Sequence, residues 1–153
     1  MKQKLTRLLP LLVLAFVGSI PFLGFLFSGK MLYGSDQIGG FGNFVQYREA
    51  LRQFMIPGWH PWYLSGMPTL DAIAGDLPYP LFWVMAFIAP AHKLLGLMMW
   101  SHVLLAGFGA YLLTRRTFQL DRWASTALAT AWMLNMNLIS IIHGGHTAKV
   151  YIQ

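Results

Sequence analysis

The chain has 153 residues, of which 56% are apolar and only 10% are charged. Soluble domains carry about 25% charged residues, and a small soluble fold cannot hide this much apolar surface, so the composition favours an integral membrane protein. The absence of cysteine excludes a disulfide framework and thiolate metal or redox sites. The length leaves room for about three membrane spans of roughly 20 residues each.

The first apolar segment follows a basic N-terminus. Lys2, Lys4 and Arg7 precede an uncharged run that is long enough to cross about 30 Å of hydrocarbon. The run continues well past residues 17–19, the one plausible signal-cleavage site, so it predicts an uncleaved span over residues 8–28. The basic residues keep the N-terminus in the cytoplasm and send the next segment outside.

A long extracytoplasmic loop is predicted over residues 29–93, and its first half is polar. From Phe41 to Met55 apolar residues recur every three or four positions, which predicts an amphipathic helix over residues 41–55, suited to lying on the membrane surface. Residues 57–63 form an aromatic, proline-containing turn with the composition of a membrane interface.

The second half of this loop contains an apolar segment, residues 77–91, that reaches only about 22 Å as a helix. If it crossed the membrane, Arg115 and Arg116 would lie outside. If it is a re-entrant or interfacial half-helix, both arginines lie in the cytoplasm, which the positive-inside rule favours. Non-helical backbone at that depth must be covered by protein or face a water-filled cavity.

The remaining sequence predicts two further spans. The second covers residues 94–114, a cytoplasmic turn covers 115–122, the third span covers 123–142, and an extracytoplasmic tail covers 143–153. We therefore predict an all-α integral membrane fold with about three transmembrane helices. Because the tail begins another apolar stretch, the chain is expected to be the N-terminal part of a longer protein. The net charge of +6 follows this topology, and no nucleic-acid partner is predicted.

Several short motifs occur in a recognisable order. They are residues 34–37 (GSDQ), 57–68 (PGWHPWYLSGMP), 78–81 (PYPL), 104–113 (LLAGFGAYLL) and 145–147 (GHT). Taken together, they resemble the N-terminal part of the bacterial YfhO-like membrane proteins, relatives of the GT-C glycosyltransferases that use polyprenyl-phosphate sugars. The resemblance covers nearly the whole chain. It departs from the family at His60, where asparagine is more common.

The resemblance implies a function on the outer face of the bacterial inner membrane. A sugar would pass from a polyprenyl-phosphate donor to a cell-envelope glycan, lipid or polymer, without a cofactor and with other membrane subunits as possible partners. Asp36 matches the acidic residue that acts at the catalytic centre in the wider superfamily. The same resemblance implies juxtamembrane helices in the first loop.

Glycosyl transfer needs a base for the acceptor hydroxyl and positive charge near the departing phosphate. We assign Asp36 as base or acceptor-orienting group and Asp76 as a secondary acid. The alternative for Asp36 is a solvated loop residue or a helix N-cap, and Asp76 could simply cap the half-helix.

Further substrate contacts are predicted at Asp71, at His60, at Arg52 and Lys149 as phosphate ligands, and at the pair His143 and His146. Interfacial Arg and Lys side chains also extend to lipid headgroups, which is the commoner role. The histidine pair could bind a phosphate or a metal, but the two glycines between them argue against a rigid ligand pair, so no metal is assigned.

The alternative hypothesis about function depends on His102. It lies within the predicted second span, where an ionisable side chain is costly and often functional. A small accessory or structural membrane subunit could use His102 to ligate haem or a chlorophyll-type pigment. The blander alternative is a hydrogen bond to a neighbouring helix.

Overall fold

The computed structural model describes residues 2–32, 34–61, 65–69 and 79–144, which are mostly helical. The helices are α1 Lys2–Ser19, α2 Leu23–Leu26, α3 Ser35–Arg52, α4 Pro80–Ile88, α5 Ala91–Arg116, α6 Arg122–Met133 and α7 Met136–Gly144. A 3₁₀ turn, Ile20–Phe22, joins α1 to α2. Two short antiparallel strands, β1 Trp59–His60 and β2 Met67–Pro68, pair Trp59 with Pro68 and His60 with Met67.

In the part of the chain that the structure describes, two helical segments are long and apolar enough to cross a membrane. They are Leu8–Leu26 and Ala91–Arg116, and only 28% and 44% of their most apolar stretches are buried within the protein. The core helix of a soluble domain would be mostly buried. Both segments instead leave large apolar side chains exposed, among them Phe16 on α1 and Leu112 on α5. This composition and exposure point weakly to a membrane protein.

The predicted third span differs from the observed backbone. The helix that starts at Arg122 ends at Met133, and α7 begins only at Met136. Asn135 interrupts the helix, because its side-chain amide donates a 2.6 Å hydrogen bond to the Trp132 carbonyl. The two helices rise about 18 Å and about 13 Å, so neither alone reaches across a bilayer.

Helices α1, α5 and α6 pack closely around Met133. A Cβ added to Gly107 would lie 2.5 Å from the Met133 sulfur, and one added to Gly18 would lie 2.9 Å from Leu104 on α5. Small residues let helix backbones approach in this way when lipid offers no hydrophobic driving force. A hydrogen bond of 2.9 Å from the Trp100 indole to the Ser19 hydroxyl adds a polar link between α5 and α1.

Helix α3 buries one face against α4 and the first half of α5. The buried side chains Phe44, Tyr47 and Leu51 follow the helical repeat from which the amphipathic helix was predicted. The bounds differ from 41–55, since α3 starts at Ser35 and stops at Arg52. Met55 is therefore exposed beyond the helix end.

The end of α3 has the hydrogen bonding of a Schellman motif. The amide of Phe54 donates to the Leu51 carbonyl, and that of Met55 donates to the Ala50 carbonyl, both at 2.9 Å. Phe54 adopts a left-handed backbone with φ of 57°, a position that usually holds glycine. Because of this turn the helix ends three residues earlier than the apolar spacing predicts.

The short apolar segment predicted over 77–91 contains α4, which covers nine residues. Pro90 explains its end, because a residue before proline avoids the helical region and Ala89 is extended. Helix α5 then begins at Ala91 and continues to Arg116, longer than the predicted 94–114. Part of the predicted cytoplasmic turn therefore belongs to α5.

Lys93 and Phe25 join the first two apolar segments. The Lys93 ammonium donates to the carbonyls of Phe25 and Ser28 and lies 4.2 Å from the centre of the Phe25 ring. The same ring packs on Gly96 one turn further along α5. A cation at the end of α2 supplies a further donor to these carbonyls, since the last carbonyls of a helix lack a full set of helical partners.

Gly96→Ala is expected to destabilise the protein, because the new Cβ would lie 2.6 Å from a Phe25 ring carbon. Overpacking of this kind costs about 1–3 kcal/mol. The matched control is Gly109→Ala on the same helix, where an added Cβ meets nothing within 4 Å. Thermal unfolding in detergent should show a lower midpoint for Gly96→Ala alone. Equal midpoints for the two variants would contradict the close packing.

Asp121 caps the N-terminus of α6. Its carboxylate accepts hydrogen bonds from the amides of Trp123 at 2.8 Å and Ala124 at 3.2 Å. These bonds, first that from Ala124 and then that from Trp123, lower the pKa of Asp121. The cap therefore stabilises the helix most when the carboxylate is ionised.

We expect Asp121→Ala to lower the unfolding midpoint at neutral pH, and Asp121→Asn to lower it less, because asparagine also caps helices. Because the pKa of Asp121 is lowered in the folded protein, the ionised cap contributes its full stabilisation above the ordinary aspartate pKa of about 3.9. This stabilisation is lost as the pH falls below that value. The stability difference between the wild type and Asp121→Asn should therefore shrink on acidification. A difference independent of pH would contradict the role of the carboxylate charge.

Candidate functional site

Asp36 and Arg52 lie at opposite ends of α3. Asp36 is in the first turn and Arg52 is the last helical residue, which separates their backbones by about 24 Å along the helix axis. A sugar phosphate is much shorter than this. Arg52 therefore cannot neutralise a phosphate whose sugar is held at Asp36, and its exposed side chain fits contact with solvent or lipid headgroups.

His60 lies inside the protein rather than on a substrate-accessible surface. Its side chain is only 3% exposed and meets the Tyr47 ring edge-on, with ring centres 6.2 Å apart. The β1–β2 hairpin is tied to α3 by a 3.0 Å hydrogen bond from the Gln46 amide to the Trp59 carbonyl. This burial favours a packing role for His60 over the predicted substrate contact.

The other predicted site residues are only partly covered by the structure. Asp71, Asp76, His146 and Lys149 lie outside the described residues. His143 belongs to the last turn of α7, and for His143 and Asp36 the description is limited to the helical backbone.

The clearest polar contact inside the helices joins His102 on α5 to Tyr79, just before α4. The Tyr79 hydroxyl lies 2.6 Å from Nε2 of His102, and Nδ1 of His102 lies 2.7 Å from the Met98 carbonyl. A carbonyl oxygen can only accept, so Nδ1 carries the proton and Nε2 of the neutral ring accepts from Tyr79. This contact agrees with the alternative in which His102 makes a hydrogen bond to a neighbouring part of the chain instead of binding a cofactor.

A groove of about 670 Å³ starts at this pair and runs between α5 and α6. We call it the α5–α6 groove. Its lining residues are Tyr79, His102, Leu105, Ala106, Gly109, Ala110, Leu113, Thr114, Leu128 and Trp132. The volume falls within the range of small-molecule sites. Leu105, Leu113, Leu128 and Trp132 are also exposed, so the groove opens along the outer surface of these helices.

Small residues on α5 make space for the groove. Ala106, Gly109 and Ala110 lie on one helix face near His102, and an added Cβ at Gly109 would meet nothing within 4 Å. Spacing of three and four residues among small side chains is a signal visible in the sequence. The contact of Tyr79 with His102 has no such signal, because it depends on how α4 folds back on α5.

The haem or pigment alternative requires a ring nitrogen of His102 as ligand. Nε2 accepts from Tyr79 and Nδ1 donates to Met98, so ligation would require the tyrosine to move away. Within the residues that the structure covers, no group of three or more His, Asp or Glu side chains is arranged to hold a metal ion. In its present arrangement His102 does not fit an axial ligand.

The Tyr79–His102 bond can be measured by a double-mutant cycle. Tyr79→Phe should cost about 1–3 kcal/mol of unfolding free energy, because it leaves a buried ring nitrogen without its donor. His102→Leu should make the same tyrosine change nearly neutral, which gives a coupling of about 1 kcal/mol or more in detergent unfolding. Additive effects of the two changes would show that the hydrogen bond contributes nothing to stability.

Comparisons with protein-family models, curated proteins and solved structures find no match to this chain.

Proposed function

We propose that the chain is a multispanning protein of the bacterial inner membrane with a cytoplasmic N-terminus. In this proposal it is the N-terminal part of a GT-C-type glycosyltransferase, which transfers a sugar from a polyprenyl-phosphate donor to a cell-envelope acceptor on the outer face. The observation that carries the proposal is the α5–α6 groove. It is apolar, open along the side of an apolar helix, and bounded at one end by a hydrogen-bonding pair.

The shape of the groove suits one long apolar chain. A ligand that enters from the bilayer needs a lateral opening, which the exposed leucines and Trp132 along the groove provide. The hydroxyl of Tyr79 offers a polar contact where the apolar lining ends. An isoprenoid chain in the groove would anchor the donor in the membrane. About 16 Å of further chain beside the first part of α5, from His102 to Ala91, would then carry the sugar phosphate to the outer face.

Asp36 is the proposed catalytic base. As the acceptor hydroxyl oxygen attacks the anomeric carbon, the Asp36 carboxylate takes its proton. The bond from that carbon to the phosphate oxygen breaks at the same time, and the electron pair leaves with the polyprenyl phosphate. Residues 27–34 are all that separates α2 from α3, which supports a position for Asp36 close to the outer end of the first apolar segment.

Asp76 and Lys149 keep their proposed roles as secondary acid and phosphate contact, and Asp71, His143 and His146 remain proposed substrate ligands. Arg52 is not part of this site, because about 24 Å of helix separates it from Asp36. His60 is likewise left out because it is buried.

The proposal is tested with membranes that contain the protein and a radiolabelled polyprenyl-phosphate sugar. Asp36→Asn should lower the rate of sugar transfer by about 100-fold or more, the magnitude typical of a lost general base. Asp121→Asn makes the same chemical change at the α6 cap, outside the proposed site, and should retain activity. Ala106→Phe fills the α5–α6 groove and should weaken donor binding, measured by photocrosslinking to the labelled donor.

Three outcomes contradict parts of this proposal. Unchanged transfer in Asp36→Asn removes this residue from the mechanism. Unchanged crosslinking in Ala106→Phe removes the groove from the donor site. Crosslinking without any transfer by the wild type favours a lipid-binding accessory subunit over an enzyme.

A further inference from the structure

We propose that α4 and the turn after α3 form one apolar surface that is immersed in the outer leaflet of the bilayer and contacts lipid chains directly. We call it the α4 surface. Its members are Phe54, Met55, Ile56, Val84, Phe87 and Ile88, all exposed. The inference rests on the part of the proposed function in which α5 crosses the membrane, and it does not depend on glycosyl transfer.

Helix α4 is apolar on both of its faces. Its nine residues contain no charged side chain. Phe82 and Ala86 are buried against α3 and α5, whereas Val84 and Ile88 on the other side are exposed, Ile88 by 72%. A helix at a protein–water surface carries polar residues on its outer face, and one that is apolar all round belongs in a core or a membrane.

The turn after α3 extends this exposed face. The rings of Phe54 and Phe87 contact each other with centres 5.9 Å apart. Phe54 is 89% exposed and has a positive φ, a conformation that bulky residues rarely adopt. A strained backbone that holds a large aromatic side chain outward is expected where that side chain has a binding role. Lipid chains adjoining the apolar α4 face would provide it.

The depth of α4 follows from its contact with α5. Tyr79, at the start of α4, meets His102, while α4 ends only two residues before α5 begins at Ala91. The helices are therefore antiparallel, and α4 runs along the first 16 Å or so of α5. That length is about half the hydrocarbon thickness of a bilayer. If α5 spans, the exposed side of α4 lies within one leaflet.

The polar groups around α4 are arranged for this environment. The Arg48 guanidinium donates a 2.8 Å hydrogen bond to the carbonyl of Ala89, at the end of the helix, and pairs with Glu49 at 2.6 Å. This removes a carbonyl that would otherwise face hydrocarbon unsatisfied. Arg52 is exposed two residues before Phe54, where it can meet the phosphate of an anionic headgroup.

The bilayer fits this surface better than a second copy of the chain. A protein interface usually surrounds its apolar centre with a polar rim. Here the exposed residues of α4 continue without a charge from Pro80 to the start of the apolar helix α5. The exposed cation at the margin, Arg52, matches the negative charge of phospholipids. The half-exposed Glu49 carboxylate, which a second copy could offer to it, is already paired with Arg48.

The chain contains no cysteine, so one introduced cysteine provides a single site for a spin label. Single-cysteine variants Phe54→Cys and Ile88→Cys are spin-labelled and reconstituted into phosphatidylcholine–phosphatidylglycerol vesicles. Collision rates are then measured with oxygen, which concentrates in hydrocarbon, and with a water-soluble nickel chelate. The matched controls are Gln53→Cys, which is exposed next to Phe54, Lys30→Cys in an exposed loop, and Leu112→Cys on the outer face of α5.

The proposal predicts an oxygen-to-nickel collision ratio at positions 54 and 88 that is several-fold above that at 30 and 53, and close to that at 112. Low collision rates with both reagents at 54 and 88 would mean that protein covers the surface and would overturn the proposal. Dominant nickel collisions at 54 and 88 would also overturn it. If the collision ratio at position 112 still indicates lipid, either result leaves the spanning role of α5 intact. If the ratio at position 112 indicates water, the membrane placement in the proposed function fails as well.

Discussion

The arrangement of the helices depends on satisfying polar groups beside apolar surfaces. A few long-range hydrogen bonds do this, and among the described residues four of them involve α5. Tyr79 donates to His102, Trp100 donates to Ser19, and Lys93 donates to two carbonyls at the end of α2. In a medium without water an unsatisfied backbone or side-chain group is costly, so each bond restricts which surfaces can pack together. Helix α5 thereby determines where α1, α2 and the start of α4 lie.

The same hydrogen bonds lie between a packed region of α5 and a region that is left open. On one side of α5, the fold-back of α4 fills the space against α3 with Phe82, Leu94 and Met98. Beyond His102, the small residues of α5 leave the groove toward α6 open. The Tyr79–His102 pair stands at the boundary, so a change in the position of α4 would change the length of the groove. The structural core and the candidate site therefore share one contact.

Local sequence signals identify much of this fold. The two long apolar runs correspond to the membrane-length segments, Pro90 marks the separation of α4 from α5, and the spacing of Phe44, Tyr47 and Leu51 identifies the buried face of α3. The differences from the predicted bounds lie where helices are interrupted, once by a side chain and once by backbone hydrogen bonds. The amide of Asn135 divides the predicted third span, and the Schellman turn at Phe54 ends α3 before Met55.

The candidate site was harder to predict for a different reason. His102 is conspicuous because it is ionisable within an apolar run, but its partner depends on a helix reversal that periodicity does not encode. Conversely, Arg52 and Asp36 both suit sugar-phosphate chemistry by residue type, and only the continuous helix between them shows that they are about 24 Å apart. Residue type indicates which chemistry is possible, whereas assigning residues to one site requires the distances between them.

The Lys93 contact has a consequence for the order in which the chain assembles. The carbonyls of Phe25 and Ser28 precede their cationic partner by 68 and 65 residues. Synthesis runs from the N-terminus, so the first apolar segment leaves the ribosome before the cation that adds a donor to these two carbonyls. The contact that joins α2 to α5 therefore forms only after the second apolar segment has been made.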